Sequence, residues 1–163
     1  PELTVSLTAT PTIGIWYPRL TGALFKQWFK GDFNGKRQSM NRPIPVFSWG
    51  NTLKLPKNFT AEVDYTFTGK GNQRIYQLDK TTHVLDVAIR KTFLNDALSL
   101  ELKGTDLFKD RGDRVKMWSG DYMIKQKNIF GSREVVFTLR YKFNSAKSKY
   151  KGTGAGEQQK SRM

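Results

Sequence analysis

Long stretches in which apolar and polar residues alternate constrain this chain more than any other feature of its sequence. In the clearest stretch, residues 133–143, every second side chain from Val135 onwards is large and apolar, and most of the others are charged or hydroxylic. Because successive side chains of a strand point to opposite faces of a sheet, this pattern predicts a strand with one apolar and one polar face. The same pattern recurs at 2–9, 59–68, 85–90 and 98–103.

Seven such strands are predicted once two less regular stretches, at 20–29 and 46–55, are included. At about nine to fifteen residues each, they are longer than the five or six residues usual in soluble proteins. Eleven residues that rise about 3.3 Å each, tilted near 45°, span about 25 Å, which is the height of an outer-membrane apolar band. A soluble antiparallel sandwich also has alternating strands, so the alternation by itself leaves both architectures open.

The connections between the predicted strands are alternately short and long. Short turns are predicted within 17–20, 55–58 and 94–96, and long polar connections at 30–45, 69–81 and 109–132. This arrangement is typical of transmembrane barrels, in which the short turns face the periplasm and the long loops face outwards. Residues 115–127 are therefore predicted to extend the last external hairpin rather than to form another spanning strand.

The number of strands predicts that the sheet belongs to a larger barrel. In an up-and-down order the first and last of seven strands run in the same direction, whereas single-chain bacterial barrels close with an even number. We therefore expect the chain to be the C-terminal third of a larger barrel. The sequence begins at Pro1, without an initiator Met or a signal peptide, which we interpret as a removed front or a piece of a longer protein.

Composition argues against catalysis and against metal binding. The chain contains one His and no Cys, which excludes disulfides, thiolate metal sites and multi-His clusters. His83 is expected to be structural or exposed rather than a general base. Carboxylates on the polar face could act in acid–base chemistry, but they alternate with cations, and ion pairing explains them better. We expect no enzyme and no cofactor.

The net charge of +14 raises a second interpretation, a surface that binds nucleic acid. Such a surface needs basic and aromatic residues on the same face. Here the aromatic residues share a face with aliphatic ones, and the charges share the other face with Thr and Ser, so we expect no nucleic acid. The basic connections and the basic tail are expected to contact anionic lipopolysaccharide.

Several segments together carry a family resemblance. They lie at 28–29, 48–51, 55–59, 90–99, 104–108, 140–144 and 148–156. In their order and spacing they resemble the C-terminal barrel region of Bacteroidetes outer-membrane proteins of the TonB-dependent receptor type. The resemblance implies a barrel of about 22 strands, plugged by an upstream domain, that takes up a bulky nutrient by coupling to an inner-membrane motor.

The same resemblance assigns roles to particular residues. Residues 106–108 resemble the receptor motif at which the penultimate strand climbs towards a long external loop. The last strand resembles the signal read by the barrel-assembly machinery, which implies a role for these residues: Phe137, Leu139, Tyr141 and Phe143. A tail of about twenty residues follows this strand, whereas in most barrels of this kind a terminal aromatic residue ends the chain.

Three further sets of residues are predicted to face defined surroundings. Charged residues of the polar face are predicted to line the barrel interior: Glu62, Asp64, Asp86, Arg90, Glu101, Lys103, Arg140 and Lys142. Aromatic residues near strand ends are predicted to form girdles at the membrane surfaces: Phe59, Phe93, Trp118, Tyr141 and Phe143. The connections at 30–45 and 109–132 are predicted to contact a ligand or partner.

The sequence therefore predicts an all-β, antiparallel up-and-down transmembrane barrel segment at residues 1–146, followed by a basic, glycine-containing tail at 147–163. The expected function is nutrient uptake through the outer membrane. The expected partners are outer-membrane lipid, the assembly machinery, the upstream barrel and plug, and an unidentified nutrient. The alternative is a soluble β-sandwich or small barrel that binds a polysaccharide or polyanion.

Overall fold

The computed structural model describes residues 1–33, 36–119, 121–131 and 133–143, which form strands joined by turns and coil. The strands are β1 Glu2–Ala9, β2 Trp16–Gln27, β3 Phe29–Phe33, β4 Lys36–Met40, β5 Ile44–Leu55, β6 Phe59–Thr68, β7 Gly71–Gln73, β8 Tyr76–Leu78, β9 Thr82–Phe93, β10 Leu98–Thr105, β11 Gly112–Ser119, β12 Tyr122–Ile129 and β13 Glu134–Tyr141. Within these ranges, the chain has no helix with the length and apolarity needed to cross a bilayer.

Seven of the strands form one antiparallel sheet in the order β1-β2-β5-β6-β9-β10-β13, here called the main sheet. This confirms the all-β, antiparallel up-and-down prediction. The strands contain eight to twelve residues, somewhat fewer than predicted. The predicted bounds of β1 and β6 are confirmed, whereas β9 and β10 extend beyond their regularly alternating stretches. The sheet is open, and its edges are β1 and β13.

The turn predicted within 17–20 is wrong. Residues 10–15 make the reversal, and β2 begins at Trp16, so Pro18 lies inside a strand. β2 pairs with β1 only from Leu20 onwards, while Pro18 lies opposite Asn51 of β5. A proline is tolerated there because one side of β2 has no ladder that would require its missing N–H. The other two short turns, 56–58 and 94–97, lie where the sequence predicts them.

The long connections contain strands of their own. β7, β8, β11 and β12 form a second sheet in the order β12-β11-β8-β7, here called the loop sheet, and β3 pairs with β4 as a separate hairpin. This order repeats that of β13, β10, β9 and β6, the main-sheet strands to which the loop strands connect. The predicted extension of the last hairpin over residues 115–127 is therefore confirmed as β11 and β12.

The register places the alternating residues of neighbouring strands on common faces. Leu102, for example, lies between Ile89 on β9 and Phe137 on β13, and this side of the sheet is here called the apolar face. These three side chains are 48%, 45% and 64% exposed, and those of Val135 and Leu139 are 71% and 62% exposed. A β-sandwich would cover such residues with a second layer, and among the described residues no such layer covers them.

Apart from Pro18 in β2, the few buried apolar residues in the described part of the chain lie mainly where the main sheet meets the loop sheet. They are Met40, Ile44 and Leu78, together with Ala88 within β9. Close to them the side-chain amide of Asn72 donates to the Met40 sulfur at 3.2 Å. In the described part of the chain, packing is thus concentrated at one junction, and the main sheet does not enclose a central core.

Candidate functional site

All eight residues predicted to line an interior lie on the polar face of the main sheet, opposite the apolar face. Seven are within strands, and Lys142 directly follows β13, where its backbone N–H donates to Ala97 O at 2.8 Å. Arg90 lies directly across from Glu101, and its Nε donates to Glu101 Oε2 at 2.7 Å. The structure thus brings some of the predicted charges together as pairs.

A polar hollow of about 410 Å³ lies on this face near the short turns. Its charged lining residues are Arg90, Asp96, Glu101, Arg140 and Lys142. Three of these are cations and two are acids, so the hollow has a small excess of positive charge. Four of the eight predicted interior residues therefore share one surface.

A second polar row crosses four strands near the middle of the sheet. Gly50 lies between Arg19 on β2 and Asp64 on β6, and Asp64 lies directly opposite Asp86 on β9. A Cβ atom on Gly50 would lie 2.7 Å from the Asp64 carboxylate and 3.5 Å from the Arg19 guanidinium. The glycine therefore leaves the space into which both charged side chains extend.

Facing carboxylates such as Asp64 and Asp86 destabilise a sheet unless cations neutralise them. Asp86 accepts two hydrogen bonds from Arg111 Nη2, at 2.8 and 2.7 Å, and a third from the Asp106 backbone N–H at 2.8 Å. Arg111 lies in the connection between β10 and β11. This contact therefore fastens the last long connection to the polar face.

Asp106 organises that connection from within. Only 2% of the residue is exposed, and its carboxylate accepts backbone N–H groups from Asp110 at 2.9 Å and Arg111 at 3.1 Å. Its φ of +48° is a left-handed conformation that Asp adopts more readily than most residues. Residues 106–108, which resemble a receptor motif, thus begin with the carboxylate that organises this turn.

Two more carboxylates attach the loop sheet through ion pairs. Burial alone would raise the pKa of Asp110, but the His83 backbone N–H at 3.1 Å and the Lys80 ammonium at 3.3 Å outweigh it and hold that pKa below its ordinary value. The Lys116 ammonium, 2.7 Å from Asp79, lowers the pKa of Asp79. Sequence reasoning missed both carboxylates because nothing in their spacing marks them.

Aromatic residues lie in rows at both ends of the apolar face. The row at the short-turn end, here called the lower aromatic row, contains the predicted girdle residues Phe59, Phe93, Tyr141 and Phe143. Lys91 lies 4.4 Å from the centre of the Phe59 ring and 4.8 Å from that of Phe93. The other end holds a row that was not predicted, here called the upper aromatic row and formed by Phe47, Trp49, Tyr65 and Phe67. Trp118, also a predicted girdle residue, lies apart from both rows in β11 of the loop sheet.

Two polar residues on the apolar face have partners. His83 shares a 2.8 Å hydrogen bond with the Tyr65 hydroxyl, and the Trp16 indole donates to Asn51 Oδ1 at 3.0 Å. Asn51 is 7% exposed, and its amide also donates to the Val63 carbonyl at 3.3 Å. These pairs satisfy groups that would otherwise be costly on an apolar surface.

The remaining predicted site residues are placed as follows. Phe137, Leu139 and Tyr141 lie on the apolar face of edge strand β13, and Phe143 follows that strand. The predicted ligand connections contain the β3–β4 and β11–β12 hairpins, and residues 34, 35, 120 and 132 lie outside the described residues, as does the tail from 144 onwards. In the described part of the chain, no group of three acidic or His side chains could hold a metal ion.

Comparison with known proteins agrees with this geometry. The model of the outer membrane protein beta-barrel family matches residues 2–141, which include every strand of both sheets. No curated protein matches the chain, and no solved structure does. With a match over most of its length, the chain belongs to the outer membrane protein beta-barrel family and is located in the outer membrane.

Proposed function

We propose that the chain forms the C-terminal part of the barrel of a TonB-dependent receptor of the Bacteroidetes type, which takes up a nutrient and catalyses no reaction. The single observation that carries the proposal is the open main sheet, which has one apolar face, one charged face and edges that run in the same direction. An odd number of further antiparallel strands would close this sheet into a barrel with an even total.

The two faces support a channel wall rather than a soluble binding module. Ile89 and Leu102, on inner strands, expose their side chains on the apolar face, where lipid would surround them. On the other face, pairs such as Arg90 and Glu101 would meet water or a plug domain. Charges on such a wall are tolerated because they are paired and solvated.

The asymmetry of the two ends supports the proposed orientation. One end has short turns, and the other has long connections that fold into the loop sheet and the β3–β4 hairpin. External loops of this length provide ligand contacts in outer-membrane barrels, while short turns face the periplasm. The connections at 30–45 and 109–132 are the proposed contact regions for the nutrient.

The experiment uses the whole protein that carries this chain, purified from outer membranes in detergent. We expect heat-modifiable migration on gels, no steady conductance in planar bilayers, and binding to the isolated periplasmic domain of TonB. A permanently open channel that does not bind TonB would contradict the receptor proposal and favour a passive pore. A protein that stays monomeric without detergent would instead contradict the barrel.

A further inference from the structure

One face of the loop sheet carries four cations in direct cross-strand register. Arg114 lies opposite Lys127, and Lys116 lies opposite Lys125, on strands β11 and β12. Like charges placed directly opposite each other destabilise an antiparallel pair. This square of cations, here called the basic face, is therefore unfavourable unless anions neutralise it.

Among the described residues, only two of the four cations on the basic face have an ion-pair partner. Lys116 pairs with Asp79 at 2.7 Å, and Arg114 lies 3.6 Å from Asp110. Lys125 and Lys127 are exposed, and neither has an ion-pair partner among the described residues. Both surplus charges thus lie on β12, the edge strand of the loop sheet, where an external anion can reach them.

The register also shows in which direction the basic face points. Gly71 lies across from Leu78, and its missing Cβ would touch Ile44, whose side chain belongs to the polar face of the main sheet. Leu78 lies opposite Val115, so the apolar residues of the loop sheet turn towards the polar side. The basic face alternates with them and therefore points to the side of the apolar face, where lipid would be.

The height of the basic face above the upper aromatic row also places it within reach of the lipid headgroups. In the backbone, the Asp79 N–H donates to the Arg114 carbonyl at 2.8 Å, and Lys116 lies across from Gln77. Asp79 and Gln77 precede His83 by four and six residues, and His83 lies opposite Phe67 of the upper aromatic row. Even a fully extended chain would span at most about 13 and 20 Å over those intervals, or at most about 9 and 14 Å of height at a 45° tilt. The headgroup layer is about 5–8 Å thick on each side of a bilayer, so long lysine side chains can reach it.

We propose that the basic face binds the phosphate groups of lipopolysaccharide in the surrounding outer leaflet. The inference rests on the proposed function, because it requires the long connections to face outwards. Phosphate oxygens would neutralise the ammonium groups of Lys125 and Lys127, which relieves the cross-strand repulsion within the sheet. The receptor would thereby hold its last external hairpin against the lipid surface.

The test measures binding of fluorescently labelled lipopolysaccharide to the detergent-purified whole protein at low salt. Lys125→Gln with Lys127→Gln is expected to weaken binding about thirtyfold, because each cation near an anionic surface contributes about fivefold. Lipopolysaccharide stripped of phosphate should bind the unaltered protein as weakly as intact lipopolysaccharide binds the variant. Unchanged binding by the variant would overturn the proposal.

A matched control separates the position of the charge from net charge. Gln126 lies between the two lysines on the opposite face, so Gln126→Lys adds one cation there, and Lys125→Gln removes one from the basic face. We expect Gln126→Lys to leave lipopolysaccharide affinity within about twofold and Lys125→Gln to lower it about fivefold. Equal and opposite effects would overturn the proposal, because net charge would then explain them.

Soluble long-chain polyphosphate distinguishes the lipid from a dissolved anion. If polyphosphate binds as tightly as lipopolysaccharide, with the same loss in the double variant, the face is a site for a soluble polyanion and the proposal is wrong. Heat-modifiable migration and TonB binding are measured on the same preparations. Normal values there with no loss of lipopolysaccharide affinity would overturn only this inference and leave the proposed receptor intact.

Discussion

In the main sheet the inner strands pair with both neighbours over seven to ten residues, whereas in the loop sheet β8 and β11 share only two paired residues. Side-chain contacts compensate for this short pairing. Asp79 and Asp110 form ion pairs with cations of β11, and Asp106 accepts backbone hydrogen bonds from the connection that precedes β11. On the apolar face of the main sheet, side-chain hydrogen bonds are few. The comparison indicates that the main sheet is stabilised by backbone pairing and by lipid on its apolar face, whereas the loop sheet is stabilised largely by contacts of carboxylate side chains.

The largest effect is expected from placing a charge on the apolar face of the main sheet. Leu102 lies near mid-height between Ile89 and Phe137. Leu102→Arg should destabilise the membrane-embedded protein by about 2–4 kcal/mol, as expected for Arg at the bilayer midplane. The measurement is reversible urea unfolding of the whole protein in lipid vesicles.

The control for this variant is a charge on the other face of the adjoining strand. Thr138 lies opposite Glu101 on the polar face, so Thr138→Arg should change the unfolding free energy by no more than about 0.5 kcal/mol. Equal losses in the two variants would contradict the assignment of the two faces. They would show that the sheet is covered on both sides.

A smaller, local effect is expected from the carboxylate network. Asp106→Ala leaves the backbone N–H groups of Asp110 and Arg111 without their acceptor, which costs about 1–3 kcal/mol when such groups are buried. Amide exchange should accelerate in β11 and β12 and stay unchanged in β6. Asp106→Asn keeps an acceptor oxygen and tolerates positive φ, so it should retain most of the protection; identical exchange in both variants would argue against the carboxylate as the organiser.

Acid should loosen the loop sheet before the main sheet. The pKa of Asp110 lies below its ordinary value near 3.8, so its contribution to stability is complete above that pH and is lost as the pH falls through the lower, folded-state value. Protease cleavage in the β11–β12 hairpin should therefore be constant between about pH 5 and 7 and increase below about pH 4. Asp110→Asn should raise cleavage at pH 7 and reduce its pH dependence; an unchanged profile would contradict the role of this ion pair.

The main sheet could be predicted from the sequence because its signal is local. In a strand such as β6, the alternation of apolar and polar residues shows which side chains lie on each face. The predicted bounds of this strand are the observed ones. The start of β2 could not be predicted, since Pro18 usually marks a turn and is tolerated only because β1 ends before reaching it. Whether Pro18 can lie within β2 therefore depends on where β1 ends, and the local sequence around Pro18 does not show this.

The loop sheet was predictable only as a hairpin extension. Its attachment depends on contacts between segments distant in sequence, such as Arg111 with Asp86 and Lys116 with Asp79, which no periodicity reveals. The upper aromatic row was missed for a related reason. Phe47 and Phe67 become neighbours through the register of β5 and β6, and alternation does not specify register to the residue.

The smallest effect is expected at the lower aromatic row, where a cation lies among side chains of the apolar face. Lys91 is a cation on the apolar face, but it lies over the rings of Phe59 and Phe93 near the short turns, where its ammonium group can reach water. Lys91→Gln should cost about 0.5–1 kcal/mol of unfolding free energy in vesicles, the value of an exposed cation–π contact. Lys91→Leu would test the same position differently, because a residue inside the apolar band should gain stability from leucine, whereas one at the interface should not. A clear gain with leucine would place this row within the lipid and move the short-turn boundary of the apolar band past Phe93.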